Sequence, residues 1–263
     1  MSEPVVLCAT DARGVATVTL NRPALNNAYN ADLLQSLIET CEALAADDGV
    51  RIVVIRGNGP HFQAGADLVW LRQLAAMDAA TNHAASTATA QAMRGLNEMA
   101  KPTIALVHGY CVGGGTGIVA SCDIVIAERG ANFAVSEARW GMAATIIFPQ
   151  LVAAMGIRNV RRYALSGEPF DARRAEVLGL VHEVCQPGQL DASAAPIIDA
   201  LLKIGPQAQA LSKLSALRCA DAIIDDALFS RLVDEHATKR RSAEAAEGLA
   251  SFAEKREAAW YRP

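Results

Sequence analysis

Three stretches of the chain carry residues that could do chemistry together. The first, His61-Phe62-Gln63-Ala64-Gly65-Ala66-Asp67-Leu68, follows an apolar run and a Gly57-Asn58-Gly59-Pro60 turn. Its small residues let a backbone N–H approach a ligand, and Asp67 is suited to cap a following helix. The second, His108-Gly109-Tyr110-Cys111-Val112-Gly113-Gly114-Gly115-Thr116-Gly117, also lies between a strand-like run and a helix. Its successive glycines expose N–H groups at a helix N-terminus, where peptide dipoles favour negative charge. One N–H from each turn, brought to a common point, makes an oxyanion hole. Such a hole needs a proton-handling group, and the next candidate downstream is Glu137, after Asn132-Phe133-Ala134-Val135-Ser136. On the residues alone, an ordinary strand-to-helix loop and a surface carboxylate remain alternatives. Gly113, Gly115 and Gly117 match part of a dinucleotide-binding pattern, but they follow the second buried strand rather than the first. No acidic residue stands at a strand end about 20 residues further on, so that reading is set aside.

The elements that must position these turns are legible from periodicity. Residues 14–20 alternate Val15, Thr17 and Thr19 with Ala16, Val18 and Leu20, a half-buried strand ended by Asn21-Arg22-Pro23. From an N-cap at Asn30, Leu33, Leu34, Leu37, Ile38, Cys41 and Leu44 fall at helical spacing until Asp47-Asp48-Gly49. Residues 50–55, 103–107 and 123–127 are short apolar runs suited to strands buried on both faces. Residues 68–100 read as helix in two pieces, ended by Lys101-Pro102. Strand, helix, strand, helix, strand at this spacing predicts an α/β fold with right-handed crossovers and a largely parallel sheet. Beyond about residue 187 the pattern becomes almost wholly helical, through Ile197, Leu201, Leu202, Leu211, Leu214 and Leu217. The expected organisation is a core over 1–187 and a helical C-terminal region over 188–263.

Composition narrows the function classes. Of 263 residues 52% are hydrophobic and 20% charged, enough to bury a sizeable core, and the formal net charge is −4. No block of five like charges occurs, so nucleic acid and acidic membrane surfaces are poor partners. The start, Met1-Ser2-Glu3-Pro4, lacks a secretory signal, and no uninterrupted apolar stretch of about 18 residues follows. A soluble cytoplasmic protein is expected. Cys8, Cys41, Cys111, Cys122, Cys185 and Cys219 show neither a C-x-x-C pair nor zinc-site spacing to His, so buried reduced thiols are expected, and no metal.

Together with Leu20-Asn21-Arg22-Pro23, Asn27-Ala28 and the closing Phe252-Ala253-Glu254-Lys255-Arg256, the glycine turns resemble the crotonase (enoyl-CoA hydratase/isomerase) superfamily, in family order over roughly residues 12–260. The resemblance implies a spiral of ββα units with a C-terminal helical region that forms trimers, often paired into hexamers. It implies an acyl-CoA thioester whose carbonyl is held by the N–H groups of Ala66 and Gly114, each donor supplying roughly 2.7–4 kcal/mol. CoA is part of the substrate, and no separate cofactor is implied. The CoA moiety is expected along Ala24, Leu25, Ala28, Ala64, Asp67 and Leu68, with Phe252 and Lys255 at its adenine nucleotide, often across a subunit boundary. For Lys255, among Glu254, Arg256 and Glu257, a solvated helix lysine is the plain alternative.

One departure bears on the reaction. Hydratases of the family hold water between two glutamates; Glu137 matches one, but Gly117 stands at the other position. Three readings survive: a hydratase with the missing group supplied otherwise, a Δ3,Δ2-enoyl-CoA isomerase using one glutamate, and a non-catalytic acyl-CoA-binding oligomer. Gly113 to Gly117, Cys122-Asp123, Ser136-Glu137-x-Arg139-x-Gly141, Ala144-Thr145-Ile146 and Arg161-Arg162-Tyr163-Ala164-Leu165-Ser166 resemble bacterial 3-methylglutaconyl-CoA and isohexenylglutaconyl-CoA hydratases of leucine and acyclic-terpene breakdown. On that reading Gly117 leaves room for branch, substrate carboxylate and water, and Arg139 is a candidate for binding the carboxylate. Trp140, Met142, Ile146, Ile147 and Phe148 form an apolar set for a branched chain, with core packing as the alternative for each. Met142-Ala143, where related members carry Ile-Pro, favours the longer isohexenyl branch.

Overall fold

The structure is a computed structural model that describes residues 3–220 and 222–263. Strands β1 (Val6–Thr10), β2 (Val15–Leu20), β3 (Ile52–Gly57), β4 (Thr103–Val107), β5 (Tyr110–Val112), β6 (Ile124–Glu128), β7 (Asn132–Ala134), β8 (Phe170–Asp171) and β9 (Glu183–Cys185) build two sheets. The larger has the order β1-β2-β3-β4-β6-β9, and every pairing in it except β1 with β2 is parallel. The smaller, β5-β7-β8, carries the glycine turn on its first strand.

Helices α1 (Ala31–Ala46), α2 (Leu68–Ala75), α3 (Ala79–Glu98), α4 (Gly114–Ala120), α5 (Phe148–Met155), α6 (Ile157–Ser166), α7 (Ala172–Leu178), α8 (Leu190–Lys203), α9 (Pro206–Cys219), α10 (Asp226–Arg240) and α11 (Ala243–Glu254) complete the chain. The Asn30 side chain caps α1 by accepting from the Leu33 N–H, as its position predicts. The expected 68–100 helix is indeed broken, with Asp67 and Asp78 capping α2 and α3. Strand 50–55 moves to Ile52–Gly57, because the N–H groups of Arg51 and Ile52 turn onto the Gly14 carbonyl.

The central strands are apolar without interruption because both faces are covered. Val53, Ile55, Ala105 and Val107 face α1 and α3 through Leu33, Leu37, Met93 and Leu96, while Ile52, Val54, Ile104 and Leu106 face Leu190, Ala194, Ile198 and Leu202 of α8. Among the described residues no helix is long and apolar enough to cross a membrane.

Candidate active site

Both glycine turns leave the C-terminal ends of parallel strands, and Gln63 links them: its side chain braces the first turn and its backbone pairs with the strand that leads into the second. Gln63 is fully buried: its amide exchanges hydrogen bonds with Gly65 (2.8 Å each way), while its backbone joins β5 at Tyr110 and Val112. A Cβ on Gly115 would lie 2.6 Å from the Gln63 Oε1, which is why α4 must begin in small residues here. Buried Asn27 holds the other end of the loop through the carbonyls of Asn58 (2.8 Å), His61 (2.9 Å) and Phe62 (3.2 Å).

These clamps set the two N–H groups free. Tyr29 pairs with Ala66 as an isolated parallel bridge: the Tyr29 N–H donates to the Gly65 carbonyl (2.9 Å) and the Asp67 N–H to the Tyr29 carbonyl (2.8 Å). The Ala66 N–H therefore points away from Tyr29 and is left without a backbone partner among the described residues. Gly113, at φ +55°, caps α4 without a side chain, so the Gly114 N–H in its first turn is likewise unclaimed. The turns touch: a Cβ on Gly113 would stand 3.6 Å from the Gly65 Cα.

Glu137 opens a single 3₁₀ turn, Glu137–Trp140, that Gly141 closes in the left-handed region. Its Oε1 lies 3.0 Å from where a Cβ on Gly113 would stand, and its buried Oε2 has no hydrogen-bond partner among the described residues. Burial pushes its carboxyl above the ordinary 4.5, with the backbone N–H groups of Glu137 and Ser136 opposing only part of the shift. Ala66, Gly114 and Glu137 line one cavity of about 330 Å³, whose walls include Trp70, Leu71, Leu74, Trp140, Met142, Ile146 and Ile147. Among the described lining residues there is no Lys, Arg, His or second carboxylate. The arrangement can hold a carbonyl oxygen between two N–H groups and move a proton at a neighbouring carbon.

The enoyl-CoA hydratase/isomerase family model matches residues 10–263. The chain belongs to the enoyl-CoA hydratase/isomerase family. An enoyl-CoA hydratase from Shewanella pealeana superposes with a TM-score of 0.94 at 37% identity, covering 97% of this chain and 96% of that one. The mevalonyl-coenzyme A hydratase of Aspergillus fumigatus is 33% identical over 94% of this chain and 91% of its own. The mitochondrial Delta(3,5)-Delta(2,4)-dienoyl-CoA isomerase of Dictyostelium discoideum is 27% identical over 94% and 87%. The crotonase fold expected from the motifs is therefore the fold observed, and the family covers both hydratases and isomerases.

Other enoyl-CoA hydratase/isomerase positions fall as follows. Ala64 and Leu68 line the cavity, and the exposed turn bearing Ala24 and Leu25 is drawn beside them by the Ala64 N–H to the Asn26 carbonyl (3.0 Å). Arg22 bonds the Ala28 carbonyl and pairs with Asp67 at 3.1 Å; Asp67 also caps α2, and that pairing holds its carboxyl below the ordinary range. Phe252 is 86% exposed on α11, and Lys255 ends that helix in the left-handed region, so neither lines the cavity. His108 bonds the Gly59 carbonyl (2.8 Å), a structural role.

Three expectations are corrected. Gly117 does not leave room for branch, carboxylate and water: a Cβ there would meet Ile147 Cγ2 at 2.2 Å and Met93 Sδ at 3.2 Å, so an apolar side chain fills the space. Arg139 is exposed and packs toward Gly167 rather than into the cavity, and Phe148 packs on the core instead of lining it. The residues the motifs did not single out, Gln63, Tyr29 and Trp70, complete the site. Gln63 lay in view inside the first turn; Tyr29 reaches the site only through its bridge to Ala66.

Proposed function

We propose that the protein is a hydratase of C3-branched 2-enoyl-CoA thioesters that runs both proton transfers through one carboxylate. The observation that carries this is Glu137, the sole carboxylate among the described lining residues of a mostly apolar cavity that also presents the unclaimed N–H groups of Ala66 and Gly114. In this reading the thioester oxygen sits between those N–H groups. Glu137 takes a proton from water as the water oxygen bonds to C3 and the C2–C3 π pair moves onto the thioester. The protonated carboxyl then delivers that proton to C2, and a tertiary 3-hydroxy thioester results. This chemistry needs no cofactor beyond the CoA of the substrate.

Of the glutaconyl esters that the sequence resemblance implies, the isohexenyl one suits the cavity better than the methyl one, because its walls offer Trp70, Leu71, Leu74 and Ile146 to a long apolar branch. With no basic side chain among the described lining residues, the terminal carboxylate must be solvated at the rim, where Trp140 is 64% exposed. The Aspergillus relative named for mevalonyl-coenzyme A supports a family site that tolerates substitution at C3, since a mevalonyl group is itself branched there. A homotrimer, or a pair of trimers, would cover the exposed apolar side chains Phe229 and Val233 of α10 and Leu249 and Phe252 of α11, which light scattering of the purified protein tests.

A second reading, isomerisation of a 3-enoyl-CoA, is favoured by the closed position at Gly117, because one carboxylate suffices to carry a proton between C2 and C4. Separate incubations with isohexenylglutaconyl-, 3-methylglutaconyl-, crotonyl- and 3-hexenoyl-CoA, read by chromatography and mass spectrometry, decide between them. A gain of one water on a glutaconyl thioester, largest for the isohexenyl ester, is expected. An unchanged mass with a shifted double bond in 3-hexenoyl-CoA would replace hydration by isomerisation, and no reaction with any of the four would leave acyl-CoA binding.

A further inference from the structure

With Ile147 filling the space beside Gly117, a hydration site still requires a second group to hold the water. Tyr29 lines the same cavity as Glu137. Its ring lies over the start of α4: a Cβ on Gly114 would meet Tyr29 Cε1 at 2.4 Å and its hydroxyl oxygen at 3.1 Å. Glu137 Oε1 stands 3.0 Å from the matching position on the adjacent Gly113. The two groups thus face one cavity from neighbouring glycines, yet no hydrogen bond joins them, and the Tyr29 hydroxyl has no other partner among the described residues. Asn82 and Thr89, also in the lining, already donate to the carbonyls of Leu74 and Ala85. The Tyr29 ring is braced edge-on by Trp70, centroid to centroid 5.9 Å, and its backbone by Ala66, so the hydroxyl is held in place. Burial, aided by the charge of Glu137, pushes the phenol up to about 12, which keeps it an O–H donor.

We propose that Tyr29 and Glu137 hold the reacting water between them, the phenol O–H standing in for the family's second carboxylate. The role rests on the hydration reading above. The water donates one O–H to Glu137 and accepts from Tyr29. As its oxygen bonds to C3, its proton passes to Glu137 and later to C2, while Tyr29 keeps its own proton throughout. In the reverse direction the same O–H donates to the hydroxyl leaving C3.

The test uses Tyr29→Phe in the full-length protein and two rates from one preparation. One is hydration of a 2-enoyl-CoA; the other is exchange of the C2 protons of butyryl-CoA in heavy water, which uses Glu137 and thioester polarisation but adds no water. Hydration kcat is expected to fall at least about tenfold further than exchange, with KM within about twofold. Equal loss of both rates, or loss of neither, overturns the role of Tyr29. A wild-type protein that exchanges C2 protons but adds water to no 2-enoyl-CoA overturns the hydration reading itself, and the role with it, before the variant is made.

Discussion

Glu137 is kept in a wall of apolar side chains with one carboxylate oxygen unpartnered, an arrangement that costs stability when the group is charged. Its folded-state pKa is raised, so its contribution to stability is fully present below the ordinary carboxylate value of 4.5 and is lost as pH rises through the raised value. Glu137→Gln removes that charge. The variant is therefore expected to melt above wild type at pH 7, with the gap closing as pH falls toward 4.5; thermal melts across this range check it, and a variant that melts lower at pH 7 would contradict the burial argument. The same shift places the acid limb of kcat/KM above 4.5, because the free enzyme must present an ionised base. A steady-state pH profile with its acid limb at or below that value would show that Glu137 is better solvated than its surroundings indicate.

At the scale of elements, α4 and the segment that ends in Ile147 are packed so closely that Gly117 has a steric reason to be glycine. Gly117→Ala is expected to destabilise by about 1–3 kcal/mol through overpacking. Ile147, only 3% exposed, should cost about 2–5 kcal/mol when cut to alanine. The double variant should lose clearly less than the sum, because the added methyl enters the space that Ile147 vacates; urea unfolding of all four proteins measures this, and strict additivity would mean that the two positions do not share a wall. The sequence shows the Asn30 and Asp67 caps and the buried runs of β3, β4 and β6 because those signals are local. It hides β1, an edge strand whose residues beyond Val6 are exposed, and β5, β7 and β8, which are too short to display a period. The glycine turns and Glu137 are legible as motifs. Tyr29 is not, since its place depends on a bridge to a residue in a different turn, and the filling of the space at Gly117 depends on Ile147, distant in the chain.

Across the whole molecule, Arg51 ties the chain's last segment to its first parallel pair. Its guanidinium donates to the carbonyls of Trp260 (2.8 Å) and Ile204 (2.9 Å) from a site only 8% exposed, and burial lowers its pKa. Arg51→Ala is expected to cost about 1.5–3 kcal/mol in urea unfolding and to expose the C-terminal segment to proteolysis, whereas unchanged stability would mean that α8 and the sheet hold that segment unaided. The proposed function rests on one claim, that Glu137 beside the N–H groups of Ala66 and Gly114 does the proton chemistry on a bound thioester. The most direct test measures hydration turnover and CoA affinity for Glu137→Gln beside wild type. Turnover is expected to fall by roughly 10²–10⁴-fold while CoA affinity stays within about twofold. Turnover retained within about tenfold would contradict the account, because some other group would then be moving the proton.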